Sequence, residues 1–198
     1  MQMRSLQDLY AEKLQDLYSA EEQIIKALPK MMESAGNDEL RRGFELHLRQ
    51  SEQHVERLDR LFQQLGQKGG RIECEGMRGI IKEGQKAMKE VKDPDTLDAA
   101  LIAAAQAVEH YEMAGYGTAR TWARQLGREQ DARLLQQTLD EEEQTDRKLT
   151  EVAETMVNRQ AAQGDREVSR SVQSDEGSRQ KLSTGGKRSP SDRPSTNP

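Results

Sequence analysis

Cysteine, aromatic residues and long apolar runs are scarce in this chain, and each shortage removes a class of protein. A single cysteine, Cys74, among 198 residues excludes intrachain disulfides and paired-cysteine metal knuckles. Aromatic residues make up 4% and hydrophobic residues 33%, too little for a β-sandwich or barrel. No stretch approaches the roughly 18 apolar residues of a membrane span, and the first residues, Met1-Gln2-Met3-Arg4-Ser5, carry no apolar signal stretch. Positive charge is also short: 30 Lys and Arg face 35 Asp and Glu, for a net charge of −5. A general nucleic-acid binder needs the opposite balance. The glycines at 66, 69 and 70 are not followed by the Gly-Lys-Ser/Thr of a phosphate loop. These exclusions leave an expected all-α, soluble, cytoplasmic protein that partners neither nucleic acid nor membrane, rich in helix-forming Glu, Gln, Lys, Arg, Ala and Leu.

Apolar residues recur at alternating spacings of three and four, which predicts four long helices and a shorter fifth. The first covers residues 5–34, with Tyr10, Leu14, Leu17, Ile24, Leu28 and Met31 on one seam. Ala35-Gly36-Asn37-Asp38 supplies a stop, a turn and a new start. The second reaches Leu65, with Leu40, Phe44, Leu58 and Leu61 inward, and Gly66 ends it. A crossover from Gly66 to Asp95 carries the short helix, 77–91, because so long a structureless loop would be unusual. The third long helix runs from Asp95 or Thr96 to Gly127, and the fourth covers 128–160 with Leu135, Leu139, Leu149, Ala153 and Met156 inward. Two tight turns and one long crossover describe a ferritin-like four-helix bundle over 1–163. From Gly164 the pattern stops, and 164–198 reads as a disordered polar tail.

Several seam positions are polar. Glu21 sits between Leu17 and Ile24 on the first helix, and His47, Ser51 and His54 interrupt the second. Glu109 and Glu112 lie one turn apart on the third, and Glu142 and Asp146 occupy the stripe of the fourth. Counting outward from the turns puts Glu21 level with Gln50, Glu112 with Glu142, and Glu109 with Asp146. Five carboxylates (Glu21, Glu109, Glu112, Glu142, Asp146) thus collect at mid-height with no lysine or arginine on the stripes. An unpaired buried charge costs several kcal/mol, so divalent cations would offset their repulsion. Carboxylates with one or two imidazoles suit two iron ions, or manganese, in a bundle core. Zinc is less favoured without thiolates. Against this stands the ordinary meaning of each feature: an interior histidine is usually a satisfied core residue, and Glu141-Glu142-Glu143 alone is a solvated acidic face. Only the helical register raises Glu142 and Asp146 above that. His110 points to another, solvated face. Tyr111, Tyr116 and Trp122 read as packing, with the Tyr116 hydroxyl able to donate near the metals. Cys74 lies off the stripes, which argues against a catalytic thiol.

These residues carry a family likeness. Tyr18-Ser19-Ala20-Glu21, His47-Leu48 with Val55-Glu56-Arg57-Leu58, Cys74-Glu75-Gly76-Met77, Val108-Glu109-His110-Tyr111-Glu112 and Thr138-Leu139-Asp140-Glu141-Glu142-Glu143 resemble the YciE/YciF family of ferritin-like stress proteins. The resemblance covers about residues 6–160 and implies a dimer with a carboxylate-rich metal centre and a link to bacterial stress. Glu109-x-x-Glu112 is similar to the third-helix motif of rubrerythrins. That likeness makes Glu142 the bridging carboxylate and puts Asp146 where a histidine is common. Gln50 stands where a second bridging glutamate would be expected, with His54 one turn on to compensate. His47 is either a ligand or a partner behind one. The implied function is a di-iron or di-manganese protein reacting with peroxide or dioxygen, its electrons supplied by another protein because no rubredoxin-like cysteine set is present. A non-catalytic dimeric stress or scaffold protein, its metal structural or absent, is the alternative, with iron storage a weaker third.

Overall fold

The computed structural model describes residues 3–164. Its described residues up to Ala161 form one compact unit. The expected tail therefore lies outside the described residues except for Gly164, which is helical. Among the described residues there is no strand, and the elements are α1 (Leu6–Ser34), α2 (Asp38–Gln64), α3 (Glu75–Glu90), α4 (Pro94–Gln125) and α5 (Glu129–Val152). The chain is all-α, with four long helices and the short crossover helix expected.

Local chemistry sets the boundaries. Ser5 and Asn37 accept backbone N–H bonds from the first turns of α1 and α2, and Asp93 accepts one from Thr96. Pro94 takes the first helical position, where its missing N–H is harmless, so α4 begins slightly before the expected Asp95 or Thr96. Gly127, with φ of 71°, ends α4 in a conformation costly for other residues. The fourth long helix departs from its expected course at Ala153–Val157, a π-helical turn. That wider turn holds one extra residue. The inward position consequently moves from the expected Met156, which is exposed, to Val157, which is 1% exposed.

α1 pairs with α2 and α4 with α5, while α3 lies against α4 and α1. The ends of the bundle are tied by buried polar contacts. At one end Asp98 of α4 accepts hydrogen bonds from the backbone N–H groups of Gly36 (2.8 Å) and Asn37 (2.7 Å). A side chain at Gly36 would meet the Asp98 carboxylate at 3.2 Å, so the glycine permits this approach. At the other end Tyr10 donates to Asp131, which also receives Arg128. Replacing Asp98 with alanine strands two N–H groups, each bond to a charged partner being worth about 1.5–3 kcal/mol. We expect Asp98→Ala to lower the denaturant midpoint by the equivalent of about 2–4 kcal/mol, with the unfolding slope unchanged.

The apolar core is split in two. One cluster, including Ile24, Leu28, Phe44, Leu101 and Val152, lies toward the α1–α2 turn. The other, including Tyr10, Leu14, Leu61, Ala123 and Leu135, lies toward the α4–α5 turn. Between them, on all four long helices, runs a layer of buried polar side chains.

Candidate metal centre

That layer contains Glu21 from α1, His47, Ser51 and His54 from α2, Glu109 and Glu112 from α4, and Glu142 from α5, none more than 2% exposed. Two donor sets arise within it. His47, Glu109, Glu112 and Glu142 place one ligand atom each within 4.8 Å of one another, and Glu21, His54 and Glu142 do the same. Glu142 belongs to both. One of its oxygens lies 3.1 Å from His54 Nδ1 and the other 3.9 Å from His47 Nε2. Its carboxylate therefore faces both histidines at once, as a bridging ligand must.

The two sets differ electrostatically. Burial alone would raise Glu21, but the His54 imidazole 3.0 Å away and the Tyr116 hydroxyl, which donates to Glu21 at 2.5 Å, outweigh it and hold the carboxyl low. Burial also disfavours a charged His54, yet Glu21, Glu141 and Glu142 push it up to about 12. Behind it, Glu141 meets His54 Nε2 at 2.8 Å and accepts both arms of the Arg57 guanidinium, at 2.7 and 2.9 Å. His54 and Arg57 overcome partial burial and bring Glu141 down to about 2. Thr138 accepts a further bond from Arg57. This half of the layer is a closed ion-pair chain.

The other half has less relief: His47 Nδ1 lies 3.1 Å from Glu109 Oε1, but burial disfavours a charge on that imidazole. Burial, reinforced by neighbouring carboxylates (Glu142 first for Glu109, Glu21 first for Glu112), pushes both residues well above the usual range. Burial keeps His47 neutral by lowering it. Both oxygens of Glu109, Glu112 and Glu142, one of Glu21, and Nε2 of His47 are buried without a hydrogen-bond partner. Native interiors leave few such atoms unpaired. Oxygen and imidazole donors aimed into one space fit hard or borderline divalent cations, so the residues present suit the metal pair expected of them.

Of the other expected ligands, Asp146 belongs to neither carboxylate–imidazole set, and Gln50, an amide, shares a cavity lining with His47. Gln50 lies on the flank of α2 and lines a cavity of about 310 Å³ between α2 and α5, its Oε1 buried and unpartnered. A step of three residues turns it about 60° from His47, whereas the step of seven to His54 returns to the same face. Asp146 is at the right height but four residues past Glu142, about 40° further round the helix. It faces the α4–α5 seam, where Gln106 donates to it at 3.0 Å and His110 lies 3.3 Å away. Glu21 meets His54 rather than Gln50. Its side chain leans away from the turn while that of His54 leans back toward it, because both tilt toward their own N-termini. The Glu141–Arg57–Thr138 support escaped notice in the sequence, although Arg57 falls one turn after His54 and Glu141 directly precedes Glu142. Cys74 is buried, 2.9 Å from the Tyr111 hydroxyl, and burial with Asp16 nearby raises its thiol. That environment disfavours a thiolate.

Since Glu141 fixes the orientation of His54, Glu141→Gln should weaken metal binding about 10–100-fold, as measured by competition with a chelating dye. Arg57→Lys, which keeps the charge but not the fork, should produce a smaller loss in the same direction.

Comparison with known proteins agrees with this architecture. Residues 5–162 match a family described as a domain of unknown function, DUF892. Protein YciF of Escherichia coli K12 is 41% identical over 162 residues, covering 81% of this chain and 98% of its own. The crystal structure of that E. coli stress protein superposes with a TM-score of 0.76, covering 79% of this chain and 99% of the other. YcfI, titled a putative structural protein from Rhodopseudomonas palustris, is 45% identical with a TM-score of 0.73, covering 74% and 94%. A match spanning nearly the whole bundle, at this identity, places the chain in the DUF892 family of YciF-like proteins.

Proposed function

We propose that this chain is a di-metal redox protein that holds two iron or manganese ions in the polar layer and acts on peroxide or dioxygen in a stress response. The observation that carries this reading is Glu142, whose carboxylate faces His47 and His54 together amid buried oxygens that lack partners. His47, Glu109 and Glu112 would hold one ion, Glu21 and His54 the other, with Glu142 shared. Two redox-active ions bound there would supply the electrons needed to cleave an O–O bond. The protein's own part is to exclude bulk water, since the layer is closed above and below by the apolar clusters. Tyr116, held protonated by burial and the surrounding carboxylates, keeps a hydroxyl proton directed at Glu21. Electrons would come from a separate donor protein, because Cys74 is the chain's one thiol. We further propose a cytoplasmic homodimer, to be checked by sedimentation; no helix among the described residues is long and apolar enough to cross a membrane.

The test is anaerobic loading with ferrous iron followed by mixing with peroxide or oxygen. Metal-dependent consumption by protein carrying about two ions per chain is expected. Protein that binds both ions and leaves the oxidants untouched loses the redox reading. A second reading, a non-catalytic scaffold, is favoured by the Glu21–His54–Glu141–Arg57 chain, which balances its own charge without metal. Elemental analysis showing no bound metal, with melting indifferent to added iron, would select it.

A further inference from the structure

A cavity of about 470 Å³ opens between α1, α3 and α4, within the size range of small-molecule sites. Its walls are apolar: Ile24, Leu28 and Met31 from α1, Ile80 and Met88 from α3, and Leu101 from α4 are among them. His47 is the only α2 residue in its lining and is 2% exposed, so it forms the inner end, across the bundle from the exposed residues of α1 and α3. The remaining lining has one sign of charge. Lys26, Lys30, Arg78 and Lys82 are exposed there, and no aspartate or glutamate lines the cavity, although the whole chain carries −5. Arg78 is engaged by Glu75; the three lysines make no ion pair among the described residues. Apolar walls below a cationic rim match one chemistry, a hydrocarbon tail ending in an anionic head.

We propose that this cavity binds an amphiphilic organic anion, a medium-chain alkyl carboxylate, with its tail directed toward His47 and its head at Lys26, Lys30 and Lys82. Binding itself stands on the cavity and its charge. Only the consequence that the tail's end lies beside a reactive centre, making the ligand a substrate class, rests on the di-metal reading. α3 is the crossover element that closes the cavity, which gives the short helix a role besides connecting the two hairpins.

Calorimetric titration of the full chain with octanoate, decanoate and dodecanoate tests this below their micellar concentrations. We expect one ligand per chain and an affinity rising up to about fourfold per added methylene. Decanol, with the same tail and no charge, should bind about tenfold more weakly. The double variant Lys30→Glu with Lys82→Glu, on exposed positions, should lose about tenfold or more for decanoate and leave the melting temperature unchanged. Ala27→Phe should block the cavity; should it fail to fold, the charge-reversed variant carries the test alone. Affinity insensitive to chain length or to charge reversal overturns the proposal. So does a cross-link between copies, through an introduced Gln85→Cys, that forms as fully when saturating decanoate is present from the start as without it, because a second chain would then cover this face. Metal content measured on the same samples separates the two readings. Carboxylate uptake by protein that takes no metal retains the site and discards the di-metal centre, and the reverse result discards the site alone.

Discussion

Glu142→Gln is expected to release both metal ions, whereas Glu21→Gln should release one. The distinction follows from geometry: Glu142 belongs to both donor sets, Glu21 to only one. An amide keeps the volume of the carboxylate but not its charge, and it bridges cations poorly. Elemental analysis after dialysis should fall from about two ions per chain to near zero for Glu142→Gln, and to about one for Glu21→Gln. A parallel loss in both variants would mean that the two sets do not act as separate sites. Melting the metal-free proteins adds an independent reading. Replacing Glu112 and Glu142 together with glutamine removes mutual repulsion among buried acids, and relief equivalent to a tenfold change in proton affinity is worth about 1.4 kcal/mol. For a domain of this size that is a rise of several degrees. The variant should thus be more stable than the parent without metal and less responsive to it.

The second large effect is a reversal of pH dependence on metal loading. In the metal-free protein Glu109 and Glu112 are raised above the usual carboxylate range, and His54 is raised to about 12. Each of these groups binds more protons folded than unfolded, so stability falls as pH rises past its unfolded value. For His54 the favourable contribution is complete below about pH 6.5 and is lost progressively up to about pH 12, at about 1.4 kcal/mol per pH unit. Glu21 and Glu141 are depressed and act in the opposite sense, withdrawing stability as pH falls below about 4.5. The metal-free protein should accordingly melt highest near pH 4.5, decline above it as Glu109 and Glu112 lose their share, and decline more steeply above about pH 6.5, where His54 alone adds about 3–5 °C per unit. Metal uptake must displace the protons on His54, Glu109 and Glu112, so its affinity should climb with pH. The rise in melting temperature on adding Mn²⁺ should therefore be small at pH 5.5 and largest near pH 8.5. A rise that shrinks as the solution becomes more alkaline would show that those three groups do not bind the ion.

Much of the site was legible because helical periodicity is rigid. Glu21 between Leu17 and Ile24, and Glu109 with Glu112 among alanines, could only point inward if the surrounding apolar residues did. The same rule placed His47 and His54, seven residues apart, on one face. It was less able to exclude Asp146, because a rotation of about 40° separates an inward position from a flank, and that difference depends on how closely neighbouring helices approach. The register change at Ala153–Val157 was hidden as well, since nothing in the local residues requires a π-turn. It becomes visible only when Val157 is found buried and Met156 exposed.

Residue order alone determined the all-α class, the two hairpins, the crossover helix and the polar belt at mid-height, because each is a matter of period, caps and turns along one chain. Folding in three dimensions decided which acids meet which imidazole, that Glu142 faces both histidines, and that Arg57 and Glu141 lock His54 into an ion-pair chain while Glu109 and Glu112 are pushed above the usual carboxylate range. These depend on distances between different helices, which no periodicity encodes. It also decided that α3 leaves an apolar cavity beneath a lysine rim. An enclosed space exists only where separate surfaces fail to meet.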